Sequence, residues 1–231
     1  MKKLLIRKSS PLKGIIEVSG SKNSALPIMA ASLLLNDKCL LKNIPNLADV
    51  NSMINLLESL GAKINKKKSY ITINCSNLKN HKAEYNLVKK MRASILVLGP
   101  LLSRNQNAIV SLPGGCAIGT RPINYHLYGL KKLGAKISIK DGYVIAKAPN
   151  GLRGNTIELP RVSVGATENL LLASILAKGK TVIKNAAKEP EVQDLCNFLN
   201  MMGANIKGIG KKNIIIKGVK KLKSVKYSII P

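Results

Sequence analysis

Val50-Asn-Ser-Met-Ile-Asn-Leu-Leu-Glu-Ser-Leu-Gly-Ala-Lys63 closes on a Gly-Ala-Lys tripeptide that returns at Gly134 and, as Gly-Ala-Asn, at Gly203. The separations are 73 and 69 residues. Before each copy the apolar residues keep the same phase. They are Val50, Met53, Ile54, Leu57 and Leu60 in the first copy, and Ile123, His126, Leu127, Leu130 and Leu133 in the second. Val192, Leu195, Cys196, Leu199 and Met202 follow in the third. A spacing of i, i+3, i+4, i+7 and i+10 puts five side chains on one helical face. The glycine that follows is the residue for which the left-handed end of a helix costs least. The chain therefore reads as three copies of one unit.

Working outward, each unit opens on an apolar helix, over Asn23–Leu35, Met91–Leu102 and Ala166–Ala177. A short strand follows at Cys39–Leu41, Ala108–Ser111 and Thr181–Ile183. After the glycine come two strand-like runs, such as Lys136–Ile139 and Tyr143–Ala146, joined at Asp141-Gly142, a hairpin signal. Each unit of about 70 residues thus reads helix, strand, helix, strand, strand, over roughly 22–80, 85–150 and 155–220. Three units place helices inside and sheets outside, or the reverse. They are longer than solenoid repeats usually are, which favours a closed threefold domain over an open array.

The two ends stand apart. Lys2–Ile6 and Gly14–Val18 look like two strands around a proline-containing turn, with no partner strands before the repeats begin. Tyr227-Ser-Ile-Ile-Pro231 stops in a strand-like run. Unpaired strands are a liability. The expected division is residues 1–21 as opening strands of another, mostly missing domain, 22–226 as a complete threefold domain, and 227–231 as the start of the return.

The 231 residues include a single Phe, six Tyr and no Trp, so the core rests on aliphatic side chains and base-stacking platforms are nearly absent. The net charge of +27 suits a nucleic-acid binder. However, only six of the 38 basic residues are Arg, and the lysines are spread through every segment. Such a scatter fits a solvated lysine-rich surface better than a phosphate-binding patch. Four separated cysteines without a CxxC pair suggest neither zinc cage nor disulfide framework. With no signal peptide and no apolar run of membrane-spanning length, a cytoplasmic setting is expected.

Three segments stand out as chemical. In Ser111-Leu-Pro-Gly-Gly-Cys-Ala-Ile-Gly-Thr-Arg-Pro122, three glycines surround Cys116, with Arg121 and a helix start close behind. A cation and a helix N-terminus both favour thiolate, the setting of a reactive cysteine. Cys39, Cys75 and Cys196 fall in strand or helix patterns and read as structural. Lys22 and Asn23 sit at a helix start, Arg92 opens the equivalent helix of the second unit, and Arg161-Val-Ser-Val164 precedes the third. Three such openings, converging at one end of a threefold domain, make a pocket for a polyanion. His126 replaces Met53 and Leu195 of the sister helices and reads as a half-buried core histidine. Glu189 and Glu191 precede a helix and read as caps, with positioning of a hydroxyl as the alternative.

The motifs around these residues are Gly-Ser-Lys-Asn-Ser-Ala-Leu-Pro, Met-Arg-Ala-Ser-Ile, the Gly-Gly-Cys segment, Val-Ser-Val-Gly-Ala-Thr and Asn-Ala-Ala-Lys-Glu-Pro-Glu. In that order the chain resembles the bacterial UDP-N-acetylglucosamine enolpyruvyl (1-carboxyvinyl) transferases, over nearly all its length. The resemblance implies the EPSP synthase-like fold: an inside-out α/β barrel with a threefold internal repeat and helices in the middle. Two such domains flank the substrate cleft. It also implies transfer of the enolpyruvyl group of phosphoenolpyruvate to the 3′-hydroxyl of UDP-N-acetylglucosamine, with phosphate released, for peptidoglycan. Carried onto this sequence, Cys116 is the proton donor, and Lys22, Asn23 and Arg121 hold phosphoenolpyruvate. Arg92, Arg121, Pro122, Ile123, Asn124, Tyr125, Arg161, Val162, Ser163 and Val164 contact the UDP-sugar. No cofactor, metal, membrane or nucleic acid is implied.

Two positions depart from the family: Asn124 where Asp is common and Arg161 where Lys is frequent. The family's chain also runs on beyond the proline matching Pro231, into a half that carries the base for the sugar hydroxyl and further arginines. The expectation is little turnover from these 231 residues alone, with a separate chain as one source of the missing half. Two alternatives remain at this stage. A non-catalytic UDP-sugar-binding remnant keeps the pocket without the chemistry, and a basic nucleic-acid binder loses DNA affinity steeply with salt.

Overall fold

The computed structural model describes residues 3–68, 70–113 and 122–231. The first repeat runs α1 (Lys22–Ala31), β1 (Lys38–Lys42), α2 (Ala48–Ser59), β2 (Lys63–Lys66) and β3 (Tyr70–Asn74). In the second, β4 (Lys82–Ala83) and the short α3 (Tyr85–Val88) precede α4 (Leu98–Asn105), β5 (Asn107–Ser111), α5 (Asn124–Lys132), β6 (Lys136–Lys140) and β7 (Tyr143–Lys147). The third has β8 (Thr156–Glu158), α6 (Val164–Ser174), β9 (Lys180–Lys184), α7 (Pro190–Met201), β10 (Asn205–Lys207) and β11 (Asn213–Lys217), and β12 (Lys226–Ser228) closes the chain.

Three four-stranded sheets repeat one order: β12-β1-β3-β2, β4-β5-β7-β6 and β8-β9-β11-β10. In each, the outermost strand runs parallel to its neighbour and the other pairs are antiparallel. The fourth strand precedes its unit in the second and third repeats, whereas the first unit receives β12 from the far end of the chain. Leu40 pairs with Lys226 and Lys42 with Ser228. The residues expected to leave the domain at 227 instead close its ring. Ile229 is 1% exposed there, so the alternating Lys-Tyr-Ser-Ile run has a core face to bury.

The inner helices explain why the barrel is inside out. Every residue from Ser24 to Ala31 and from Ala166 to Ser174 is buried, so α1 and α6 show no solvent stripe and must lie centrally. α2, α5 and α7 bury one face each, as the helical spacing predicts, and the sheets alternate buried and outward residues. The repeated glycines end their helices alike. Gly61, Gly134 and Gly203 have φ of 103°, 94° and 99°. In each case the amide of the following alanine donates to the carbonyl five residues back (Leu57, Leu130 or Leu199). That is the Schellman arrangement, three times over.

Two segments differ from their sequence patterns. The stretch before α1 forms no strand among the described residues. Leu4, Leu5, Ile6, Leu12, Ile15, Ile16 and Val18 are all exposed, because no neighbouring backbone is placed to pair with them. The opening helix of the second repeat is also split, with Arg92–Val97 wound as 3₁₀ before α4 begins at Leu98.

Candidate active site

In each unit the two helices start beyond the carboxyl ends of the parallel strand pair. Residues at the starts of α1, α2, α5, α6 and α7 and of the 3₁₀ segment therefore gather at one end of the barrel. Free N–H groups and helix dipoles make that end receptive to anions. Two adjoining clefts open there.

The first, of about 360 Å³, is lined by Lys22, Asn23 and Leu26 of α1, Asp49, Lys90, Arg92, His126, Gly165 and Glu168, among others. Lys22 Nζ meets Asp49 Oδ2 at 2.9 Å. Both side chains are partly exposed, so the pair directs the lysine more than it stabilises the fold. Asn23 Nδ2 donates to Glu191 Oε1 at 3.5 Å. Met29 and its neighbours below seat α1 firmly in the core.

The second cleft, of about 460 Å³, is lined by Arg92, Pro122, Asn124, Tyr125, His126, Arg161, Val162, Ser163 and Gly165. Seven of the residues carried over as UDP-sugar contacts therefore share one wall. Ser163 also caps α6, its Oγ accepting from the Ala166 amide at 3.4 Å. Two carried-over residues lie elsewhere. Ile123 is 9% exposed and packs into the core at the N-cap of α5. Val164 faces a smaller space of about 280 Å³ with Asn23, Glu168 and Glu191. Arg92, His126 and Gly165 are common to both clefts, which makes them one continuous site. Cys116 and Arg121, with Gly114, Gly115 and Gly119, lie outside the described residues.

The electrostatics divide the walls. Lys22, Lys90, Arg92 and Arg161 supply positive charge. Against them stands Glu168, whose burial, with Glu191 and Glu189 nearby, raises its carboxyl to about 8. Burial and the Arg92 charge lower His126 to about 4, so the imidazole is neutral at pH 7. The other thiols are inert: burial raises Cys39 to about 12, Cys75 to about 11 and Cys196 to about 12.

Several readings change here. Neither glutamate at the start of α7 caps it: Glu189 Oε2 accepts from the Lys188 amide, and Glu191 serves Asn23. His126 is more buried than expected, and it walls both clefts as well as the core. Glu168 and Asp49 went unnoticed in the sequence. Glu168 did leave a signal, since a lone acid inside the apolar run Ala166–Ala177 is seldom buried without a reason. Among the described residues, no group of three or more His, Cys, Asp or Glu is placed to hold a metal ion. No helix among them is long and apolar enough to cross a membrane.

Comparison with known proteins then gives three findings. The family model for EPSP synthase (3-phosphoshikimate 1-carboxyvinyltransferase) matches residues 6–231. Proteins named UDP-N-acetylglucosamine 1-carboxyvinyltransferase, from Endomicrobium trichonymphae and Pelagibacter ubique, are each 54% identical over the whole chain. The chain spans 55% of the length of each. The enolpyruvyl transferase NikO from Streptomyces tendae superposes with a TM-score of 0.83 over 95% of this chain and 52% of its own. At 23% identity that last likeness speaks for the fold.

Proposed function

The chain belongs to the EPSP synthase family, and on that footing we propose that it forms the UDP-sugar side of an enolpyruvyl-transfer site. Its ligands are UDP-N-acetylglucosamine and phosphoenolpyruvate. The observation that carries this reading is the single wall shared by Arg92, Asn124, Tyr125, Arg161 and Ser163, adjoining the cleft that holds Lys22 and Asn23. The names of the relatives at 54% identity favour a UDP-sugar over a shikimate phosphate as acceptor.

In the proposed reaction, the methylene carbon of phosphoenolpyruvate takes a proton while the 3′-hydroxyl oxygen of the sugar bonds to the adjacent carbon and gives up its own proton. The tetrahedral adduct then loses phosphate, and the methyl group returns a proton as the double bond re-forms. Lys22 and Asn23 hold the phosphoenolpyruvate anion at the start of α1, where charge and backbone N–H groups reinforce one another. Cys116 supplies the first proton, and Arg121 meets the phosphate. Arg92 and Arg161 face the diphosphate of the nucleotide. The product feeds peptidoglycan synthesis in the cytoplasm. We further assign the exposed apolar stretch Leu4–Val18 to strands of an opposing lobe, and expect turnover only with that lobe present, since groups that act as a unit fail together.

Calorimetry tests the reading directly. The 231-residue chain is expected to bind UDP-N-acetylglucosamine at one saturable site and to bind it about 30-fold more weakly in Arg92→Ala. An absence of binding, with salt-sensitive affinity for duplex DNA in its place, would overturn it.

A further inference from the structure

The two clefts meet at His126, which the helix pattern reads only as a core residue and to which the family resemblance gives no role. Its ring lies on α5 with the residue 7% exposed, against α6. Behind it stands Asn169 of α6, fully buried. The Asn169 side-chain amide lies 3.0 Å from the Ile95 carbonyl oxygen and 3.0 Å from His126 Nδ1 through the same atom.

That double contact settles where the hydrogens sit. A backbone carbonyl oxygen can only accept, so the amide atom facing it is the nitrogen, Nδ2. Its two hydrogens serve two acceptors, Ile95 O and His126 Nδ1. Reversing the amide would set its oxygen against the Ile95 oxygen, two acceptors face to face. His126 Nδ1 thus presents a lone pair, and a neutral imidazole in that state carries its proton on Nε2. A second proton on the ring would point an Nδ1–H at an amide N–H. Burial and the neighbouring Arg92 disfavour that charge as well.

The remaining amide atom, Asn169 Oδ1, is buried with no donor, so the arrangement carries the penalty of an unmet acceptor. It lies against Gly99 of α4, where an added Cβ would come within 2.4 Å of it. Along the Cε1–Nε2 edge of the ring stands Gly165, whose Cβ, if present, would lie 3.3 Å from Cε1 and 3.5 Å from Nε2. Glycine at both places leaves room for the amide and keeps the Nε2 edge clear where Gly165 lines the two clefts.

We propose that Asn169 is a positioning residue that fixes His126 as the uncharged Nε2–H tautomer, so that the wall between the clefts offers a neutral hydrogen-bond donor to an oxygen of the bound nucleotide sugar. Next to Arg92, such a donor adds a directed contact without adding a second positive charge. The inference rests on the reading that these clefts take UDP-N-acetylglucosamine, and its test separates the two.

The test is long-range ¹H–¹⁵N spectroscopy of the histidine rings in the full chain, with His81 as internal reference. In the free wild-type chain at pH 7, His126 is expected to show a protonated Nε2 and an unprotonated, hydrogen-bonded Nδ1. A protonated Nδ1 would overturn the proposal without any ligand or variant. In Asn169→Asp, a carboxylate replaces the donor and the ring is expected to become charged at pH 7, while a ring that keeps the wild-type pattern contradicts the positioning role. On saturation with UDP-N-acetylglucosamine, the wild-type Nε2–H proton is expected to move downfield. A proton that stays in place while the Tyr125 and Ser163 amides shift overturns the donor role and leaves the binding reading standing. If no amide responds to the ligand, the binding reading fails and the donor role fails with it, and the tautomer result in the free chain stands on its own.

Discussion

The connection takes five residues from β1 to α2 (43–47) and from β9 to α7 (185–189), and twelve from β5 to α5 (112–123) in the second repeat. The two short versions are near copies. Asn43 and Asn185 both adopt φ of 56°, and their side chains donate to the carbonyls of Ile229 and Leu159, which follow the paired parallel strands. An asparagine tolerates the left-handed conformation and ties the turn to the next strand. In the second repeat Leu112 stands in that place, and the Gly-Gly-Cys segment follows before α5. Where the three units agree, their residues build a barrel. Where one departs, at the anion-receptive end, the other two offer no template for its residues.

The sharpest way to break this comparison is to ask which thiol reacts. Cys39, Cys75 and Cys196 lie in the repeated framework and are held protonated at pH 8 by burial. Alkylation followed by mass spectrometry should modify Cys116 about a hundredfold faster than any of them. Comparable rates at all four would place Cys116 in the framework too. Next in size is the ligand contact. Arg92→Ala should weaken UDP-N-acetylglucosamine binding about 30-fold, on the order of 2 kcal/mol, while Lys217→Ala on the outer sheet should leave it unchanged. Equal losses from the two would mean that net charge, and not the cleft, holds the ligand.

Closure of the ring offers a smaller effect. Tyr227 Oη donates to Asp194 Oδ1 at 2.5 Å, and its ring meets Phe198 edge-on at 5.3 Å, fastening β12 to α7. Tyr227→Phe leaves the buried Asp194 without that donor and should lower unfolding stability by about 1–3 kcal/mol in denaturant titration. A change near zero would show that β12 contributes little to the barrel.

The effect that depends on pH concerns Glu168. Its folded pKa, about 8, lies above the unfolded carboxylate value, so the folded chain binds the extra proton between roughly pH 4.5 and 8. Stability relative to Glu168→Gln should therefore fall as pH rises through that window. In denaturant titration the Gln variant should be more stable than the wild type at pH 8.5, by on the order of 1 kcal/mol or more, and match it near pH 4.5. A difference that does not vary with pH would contradict the buried, proton-holding environment.

These contrasts also show how much of the molecule the sequence contains. The three glycines and the apolar faces before them were legible because both signals are local: a left-handed residue needs glycine, and a helix needs its stripe. The sheet order was not. A parallel strand of two or three residues, such as Lys82–Ala83 or Lys226–Ser228, is defined by a neighbour far away in the chain. The strands expected before α1 had a suitable pattern but no such neighbour. Among the residues lining the clefts, Lys22, Arg92 and Arg161 were legible because helix openings attract anions and arginine suits phosphate, whereas Asn124 was named only by the family resemblance. His126 and Asn169 were not, because helical spacing does not distinguish a core wall from a cleft wall, and a tautomer depends on contacts made across two helices.

The central claim is that the end of the barrel where the helices begin, around the departure in the second repeat, is where the ligand sits. Mapping backbone amide shifts of the chain during titration with UDP-N-acetylglucosamine tests it most directly. Changes should concentrate at residues 22–23, 91–93, 123–126 and 161–165, with the outer lysines of β6, β9 and β11 unmoved. Shifts spread over those outer strands, with the helix openings silent, would contradict the account.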